Sequence, residues 1–216
     1  MHSFHDLVGA PFSDGVNALC WQRTLHSDFG EVVRLLDTGK GVTTLEDARL
    51  SELPVSAAGR AAIVVMLEDQ RLLRERGLEP VVECVREYAR DDGPWPTDVY
   101  SFHVDSAPVE TDTYLCTYFG SAGEGLRNDQ ATRRVDIPET RAALLRQFGG
   151  ADNDAFAEYL REGCYDLHYA PSPQARPFSF GVGNLWRIAV QYPGSPVPPC
   201  VHRAPDTRDP RLLLIS

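Results

Sequence analysis

Five residues, Asp92-Gly93-Pro94-Trp95-Pro96, divide this sequence into halves of different hydrophobic period. One glycine and two prolines in so short a stretch mark a turn. Ahead of it, after an irregular segment over 1–30, apolar residues recur at helical spacing. A helix is expected over Phe29–Asp37, capped by Asp28 and apolar at Val32, Val33, Leu35 and Leu36. A short one is expected over Thr44–Leu50, and the strongest over Ala57–Arg76, with Gly77 as its stop. Val81, Val82, Val85 and Tyr88 predict another over Pro80–Asp91.

Beyond the turn the period drops to two. Asp98–Val104 and Asp112–Phe119 read as strands, followed by a loop over Gly120–Asn128 and a short strand over Arg133–Ile137. Pro138–Phe148 and Asp154–Gly163 form a helical insert, 138–163, split at Gly149-Gly150. Short strands then follow at Phe178–Phe180, Leu185–Gln191, Cys200–His202 and Arg211–Ile215. The pattern predicts one α+β domain over 1–216: a helix-rich layer, 1–92, backing a β-rich barrel or sandwich, 93–216, and not a βαβ array.

Charge narrows the function. The chain has 31 acidic against 21 basic side chains, a formal charge of −10. Nucleic acid and anionic membrane surfaces both need clustered cations, so neither is an expected partner. Only Lys40 among the basic residues is a lysine, a bias typical of GC-rich bacterial coding, so any cationic anchor is expected to be an arginine. No apolar run approaches the ~20 residues of a membrane span. Met1–Ala10 has neither the basic start nor the apolar run of a secretion signal. The five cysteines are dispersed and include no CxxC pair, so free thiols in a reducing cytoplasm are expected.

Tyr100-Ser101-Phe102-His103-Val104-Asp105 carries the chemistry of most interest. Residues two apart on a strand share a face, so His103 and Asp105 point the same way. His202 near the C-terminus is the candidate third ligand. Two histidines and one carboxylate on one face of a metal leave positions open for oxygen and substrate at non-haem iron(II). Chance alone gives about 0.5 His-x-Asp pairs at this composition. The other pair, His26-Ser27-Asp28, is better explained by Asp28 as a helix cap. Gly120–Gly125 lacks the Lys-Ser/Thr of a phosphate loop, and Cys164 with His168 lacks an oxyanion hole.

The order His-x-Asp, about a hundred residues, His, then Arg some nine positions later resembles the Fe(II)/2-oxoglutarate-dependent dioxygenases. The resemblance covers roughly 95–216 as a spaced motif. His202-Arg203-Ala204-Pro205 also resembles the His-Arg-Ser-Pro stretch of an uncharacterised bacterial branch. The resemblance implies a double-stranded β-helix (jelly-roll, cupin-like) core. It implies His103, Asp105 and His202 as catalytic metal ligands, Fe(II) as the metal, and 2-oxoglutarate as co-substrate. It also implies Arg211 as anchor for the far carboxylate of 2-oxoglutarate, with Arg203 and Arg208 as rivals. Tyr114 and Tyr118 are candidate hydrogen-bond donors to that co-substrate. The substrate class is a small molecule or a peptide. Two other readings stay open: a cupin-like metal protein that does not use 2-oxoglutarate, expected if Arg211 faces solvent, and a non-catalytic jelly-roll binding module.

Overall fold

A computed structural model describes residues 1–36 and 38–216. Its centre is a largely antiparallel sheet of six strands in the order β1-β9-β4-β11-β3-β2. These are β1 (Ala18–Trp21), β2 (Val42–Leu45), β3 (Val81–Val85), β4 (Asp112–Phe119), β9 (Leu185–Ala189) and β11 (Arg211–Ile215). A smaller sheet faces it, in the order β10-β5-β8, built from β5 (Glu124–Leu126), β8 (Phe178–Ser179) and β10 (Val201–Arg203). Residues 102–104 extend this sheet. His103 exchanges two backbone hydrogen bonds of 2.9 Å with His202, while Phe102 and Val104 bond Tyr169 and Leu167 on their other side. Those partners lead into the hairpin of β6 (Ala131–Arg133) and β7 (Tyr169–Pro171).

Helices cover the outer face of the large sheet. The longest of them, α4 (Ala57–Arg74), follows α1 (Phe4–Gly9), α2 (Phe29–Leu35) and α3 (Asp47–Glu52). The Ser56 hydroxyl caps α4 by accepting from Gly59 N. Its buried positions, Ala62, Ile63, Met66, Asp69, Gln70 and Leu73, recur at three- and four-residue steps. They pack with Phe29, Val32 and Leu50 on Val82, Cys84, Tyr118, Leu212 and Leu214 of the sheet. Asp28 caps α2 through Glu31 N at 2.7 Å, so the His26-Ser27-Asp28 pair is structural. Asp37, the expected end of that helix, lies outside the described residues. The insert helices α5 (Pro138–Phe148) and α6 (Asp154–Glu162) close a separate cluster around Leu144, Phe156 and Trp95.

Several expected elements change. The helix expected over Pro80–Asp91 is the strand β3. Three valines in five residues favour extended backbone, and β3 fits between β11 and β2 with Val82 and Cys84 alternating into the core. Beside its helices, the segment 1–92 also supplies β1, β2 and β3 to the large sheet. The helix expected from Thr44 begins at Asp47, because Thr44 and Leu45 pair with β3. The strand expected over Asp98–Val104 shrinks to 102–104. Asp98 Oδ1 accepts from Tyr100 N at 3.0 Å, a local turn that competes with pairing. Within the expected Gly120–Asn128 loop lies β5, and the strand expected over Arg133–Ile137 is mostly one 3-10 turn, Arg134–Asp136. Among the described residues no helix is long and apolar enough to cross a membrane.

Candidate metal centre

Between the two sheets His103, Asp105 and His202 converge. One donor atom from each lies within 4.8 Å of the other two. Backbone pairing brings the histidines side by side, with ring centroids 4.5 Å apart. Each ring is oriented by a carbonyl two residues earlier. His103 Nδ1 lies 2.9 Å from Ser101 O, and His202 Nδ1 lies 3.1 Å from Cys200 O. A carbonyl only accepts, so Nδ1 carries the proton in both rings and the lone pair resides on Nε2. Burial, and then the neighbouring His202, lower the pKa of His103, which keeps its ring neutral as a ligand must be.

The carboxylate is fixed in the same manner. Thr113 Oγ1 donates to Asp105 Oδ2 at 2.6 Å, while Asp105 Oδ1 lies 3.8 Å from His202 Nε2. One oxygen is thus held and the other faces the imidazoles. Two metal–donor bonds of about 2.0–2.2 Å span that separation. Thr113 orients the ligand through a hydroxyl, so Thr113→Val is expected to weaken metal binding about 10–100-fold at nearly constant volume. Competition titration against a coloured chelator measures this, and an unchanged affinity would remove Thr113 from the centre.

These three residues, which could hold a metal ion, line a cavity of about 170 Å³ together with Arg211, Tyr88, Trp186 and Leu213. Arg211 is 7% exposed, so it does not face solvent. Its Nε donates to Ser121 O at 2.8 Å, and Tyr88 lines the same cavity beside it. It forms no salt bridge among the described residues. Burial lowers its pKa, against the raising effects of Tyr88 and Tyr100. Gly120, at φ +84°, lets the loop approach Arg211 closely; a Cβ there would meet Pro210 O at 2.6 Å. The rival arginines have other roles. Arg203 pairs with Glu124 at 2.7 Å, and Arg208 is exposed.

Tyr114 and Tyr118 do not line this cavity, which corrects the expectation that they reach a co-substrate. Their face of β4 turns to the helices, where the Tyr118 hydroxyl donates to Asp69 Oδ2 at 2.8 Å and its ring stacks on Phe29. Two residues that sequence reasoning passed over stand closer to the chemistry. The alternation that sends Tyr114 outward sends Thr113 inward, so period two was the available signal for Thr113. Tyr88 had none, because its segment read as helix.

His168 adjoins the ligands, with its ring centroid 5.6 Å from that of His103. Burial first, then the His103 and Arg134 charges, push its pKa down to about 4. An unfolded chain protonates this ring from about pH 6.5. Between those values the unfolded state holds the extra proton, so stability is full above about 6.5 and falls as the pH drops towards about 4. The slope from this ring reaches about 1.4 kcal/mol per pH unit. Urea unfolding of metal-free protein should show that slope, and His168→Gln should reduce it. An equal slope in the variant would contradict the assignment.

No family model, curated protein or solved structure matches this chain.

Proposed function

We propose that this protein is a non-haem iron(II)- and 2-oxoglutarate-dependent oxygenase of hydroxylase type, acting on a small molecule or peptide. The observation that carries the reading is Arg211. It is a buried guanidinium without a carboxylate partner among the described residues, and it shares one cavity with two histidines and an aspartate. A buried cation without a counter-ion is costly. An incoming carboxylate removes that cost and matches the two-pronged guanidinium.

The donor set fits the metal. Two neutral imidazole nitrogens and one carboxylate oxygen, each held by a hydrogen bond from its far side, match the facial set used for iron(II). Iron(II) held there supplies open positions for a 2-oxo acid and for dioxygen. The chain's own part is orientation and exclusion of water. Ser101 and Cys200 carbonyls fix the imidazoles, Thr113 fixes the carboxylate, and Arg211 with Tyr88 receives the far carboxylate of the co-substrate. Phe180, Trp186, Leu213 and Leu115 keep the cavity apolar.

The strand order supports a jelly-roll core. The segments β3, 102–104, β4, β5, β8, β9, β10 and β11 fall on the large and small sheets in the sequence large, small, large, small, small, large, small, large. That distribution is what two nested Greek keys produce. The helical insert 138–163 then lies between β5 and β8.

Product analysis tests the function. With iron(II), dioxygen and 2-oxoglutarate, slow release of carbon dioxide with an equal amount of succinate is expected even without substrate. One dioxygen is consumed per 2-oxoglutarate; one oxygen atom enters succinate, and the other goes into the oxidised substrate or, without substrate, leaves as water at the expense of two electrons and two protons from an added reductant such as ascorbate. Turnover should vanish in Asp105→Ala. Equal turnover in that variant, or none in the parent loaded with iron, would overturn the proposal.

A further inference from the structure

We propose that the substrate is a small molecule that brings a neutral apolar group to the metal, and that Trp186, Leu115 and Phe180 select it. This rests on the reading above, in which Arg211 is reserved for the co-substrate.

Register divides the cavity into two halves. Arg211 and Leu213 lie on β11, on one side of β4, while Trp186 lies on β9, on the other. Leu115 of β4 stands level with Trp186 on one side and with Ile215 on the other. Cross-strand partners share a face, so these three form one apolar row, and all of them line the cavity. Leu115 belongs to a central strand of the sheet, yet it and Trp186 are only partly buried, and Ile215 is 37% exposed. The facing sheet therefore leaves the row uncovered. Phe180 carries the wall to the metal ligands. Its ring centroid lies 4.9 Å from that of Trp186 and 6.4 Å from that of His202.

The polar side chains of the β9 half are already engaged. Trp186 Nε1 donates to Phe180 O at 2.6 Å. Asn184 Nδ2 donates to the same carbonyl at 3.0 Å, and its Oδ1 accepts from Arg23 N at 3.1 Å. Arg203, which also lines the cavity, is paired with Glu124. Thr117 stands level with Leu213, towards Arg211. A charged or hydrogen-bonding group entering beside Trp186 gives up water and gains no partner, whereas an apolar group loses nothing and covers the row. Size adds a second limit. The cavity is about 170 Å³ and takes the co-substrate as well. A space of about 150 Å³ holds a molecule the size of benzene. The inserted group is thus no larger than one ring, and a stretch of peptide chain finds neither room nor partners for its amides.

Calorimetry with toluene, benzyl alcohol and benzylamine tests this on the full-length, metal-free protein near neutral pH. The three probes share one ring and differ in what it carries. Toluene is expected to bind about tenfold or more tighter than either polar probe. Leu115→Phe fills the middle of the row and should weaken toluene binding by a similar factor. Trp186→Gln removes the ring and should do the same, which covers a Phe variant that folds poorly. In the iron-loaded protein under nitrogen, saturating 2-oxoglutarate should leave toluene affinity within a few-fold, because the two occupy opposite sides of β4. The proposal is overturned by absent toluene binding, by equal or tighter binding of a polar probe, by affinity unchanged in both variants, or by displacement of toluene with 2-oxoglutarate. Toluene bound as expected by a protein that takes up no 2-oxoglutarate would overturn the oxygenase reading and leave the apolar site standing, so the two failures give different patterns.

Discussion

Asp69→Ala is expected to cost about 3–5 kcal/mol of folding stability, the usual effect of stranding one member of a buried ion pair. Asp69 on α4 and Arg23 beyond β1 form a two-pronged bridge, Nη1–Oδ1 at 2.6 Å and Nη2–Oδ2 at 2.8 Å. Their side chains are 3% and 9% exposed. Arg23 also donates from Nε to Gly183 O at 2.9 Å, and Tyr118 donates its hydroxyl to the same carboxylate. Burial works against the Arg23 charge, but the hydrogen bonds and charge of Asp69 outweigh it and raise the pKa. Removing the carboxylate leaves a guanidinium and a phenol without their acceptor under the sheet. Urea unfolding should show a lower midpoint at unchanged slope. The apolar exchange Arg23→Met with Asp69→Leu should recover most of the loss, because both desolvation costs disappear together. The Tyr118 hydroxyl would remain unpaired, leaving a residue of about 1–3 kcal/mol. A single-variant cost below about 1 kcal/mol would mean that this bridge does not hold α4 to the sheet.

Arg211→Met is expected to weaken 2-oxoglutarate binding about 30-fold or more while metal affinity stays within a few-fold of the parent. Loss of one partner of a buried, hydrogen-bonded charge pair costs about 2–5 kcal/mol. The methionine keeps the apolar stem against the Gly120 loop, so the cavity wall survives. Arg211→Lys should fall between, since an ammonium retains the charge without the planar fork. Calorimetric titration of 2-oxoglutarate into the iron-loaded variants under nitrogen separates the two affinities. A parallel loss of metal binding would show that Arg211 acts through the fold and not as an anchor.

Much of this architecture is legible in the sequence where a signal is long. The helix α4 has both a cap and four turns of regular spacing, and α6 starts at the expected residue, Asp154, with Asn153 capping it by accepting from Ala155 N and Phe156 N. Strands β4 and β11 alternate or run apolar long enough to be read. The three-residue strands of the small sheet carry no such pattern, and β5 hides in a glycine loop. The run Val81-Val82 with Val85 satisfies a helical and an extended template equally. Its neighbours decide it, and β11 arrives from the far end of the chain.

The candidate site divides the same way. Residue type and strand spacing single out His103 and Asp105 with His202 as a candidate third ligand, the family resemblance adds Arg211, and the structure brings all four to one cavity. Face assignment on β4 fails, because aromatic residues look like a pocket wall and serve here as the floor under the helices. What orients the ligands is still less visible. Two backbone carbonyls and a threonine hydroxyl leave no mark on a sequence pattern, and Ser121 meets Arg211 only through tertiary packing.

The most direct measurement is an anaerobic titration of metal-stripped protein with iron(II) and then 2-oxoglutarate, followed in the visible range. A weak charge-transfer band is expected when the 2-oxo acid chelates the metal. It should be absent in His202→Ala, which lacks one of the three ligands. It should be displaced to much higher co-substrate concentration in Arg211→Met. Iron binding without the band would leave a metal centre that takes no 2-oxo acid, and no metal binding under any condition would contradict the account at its root.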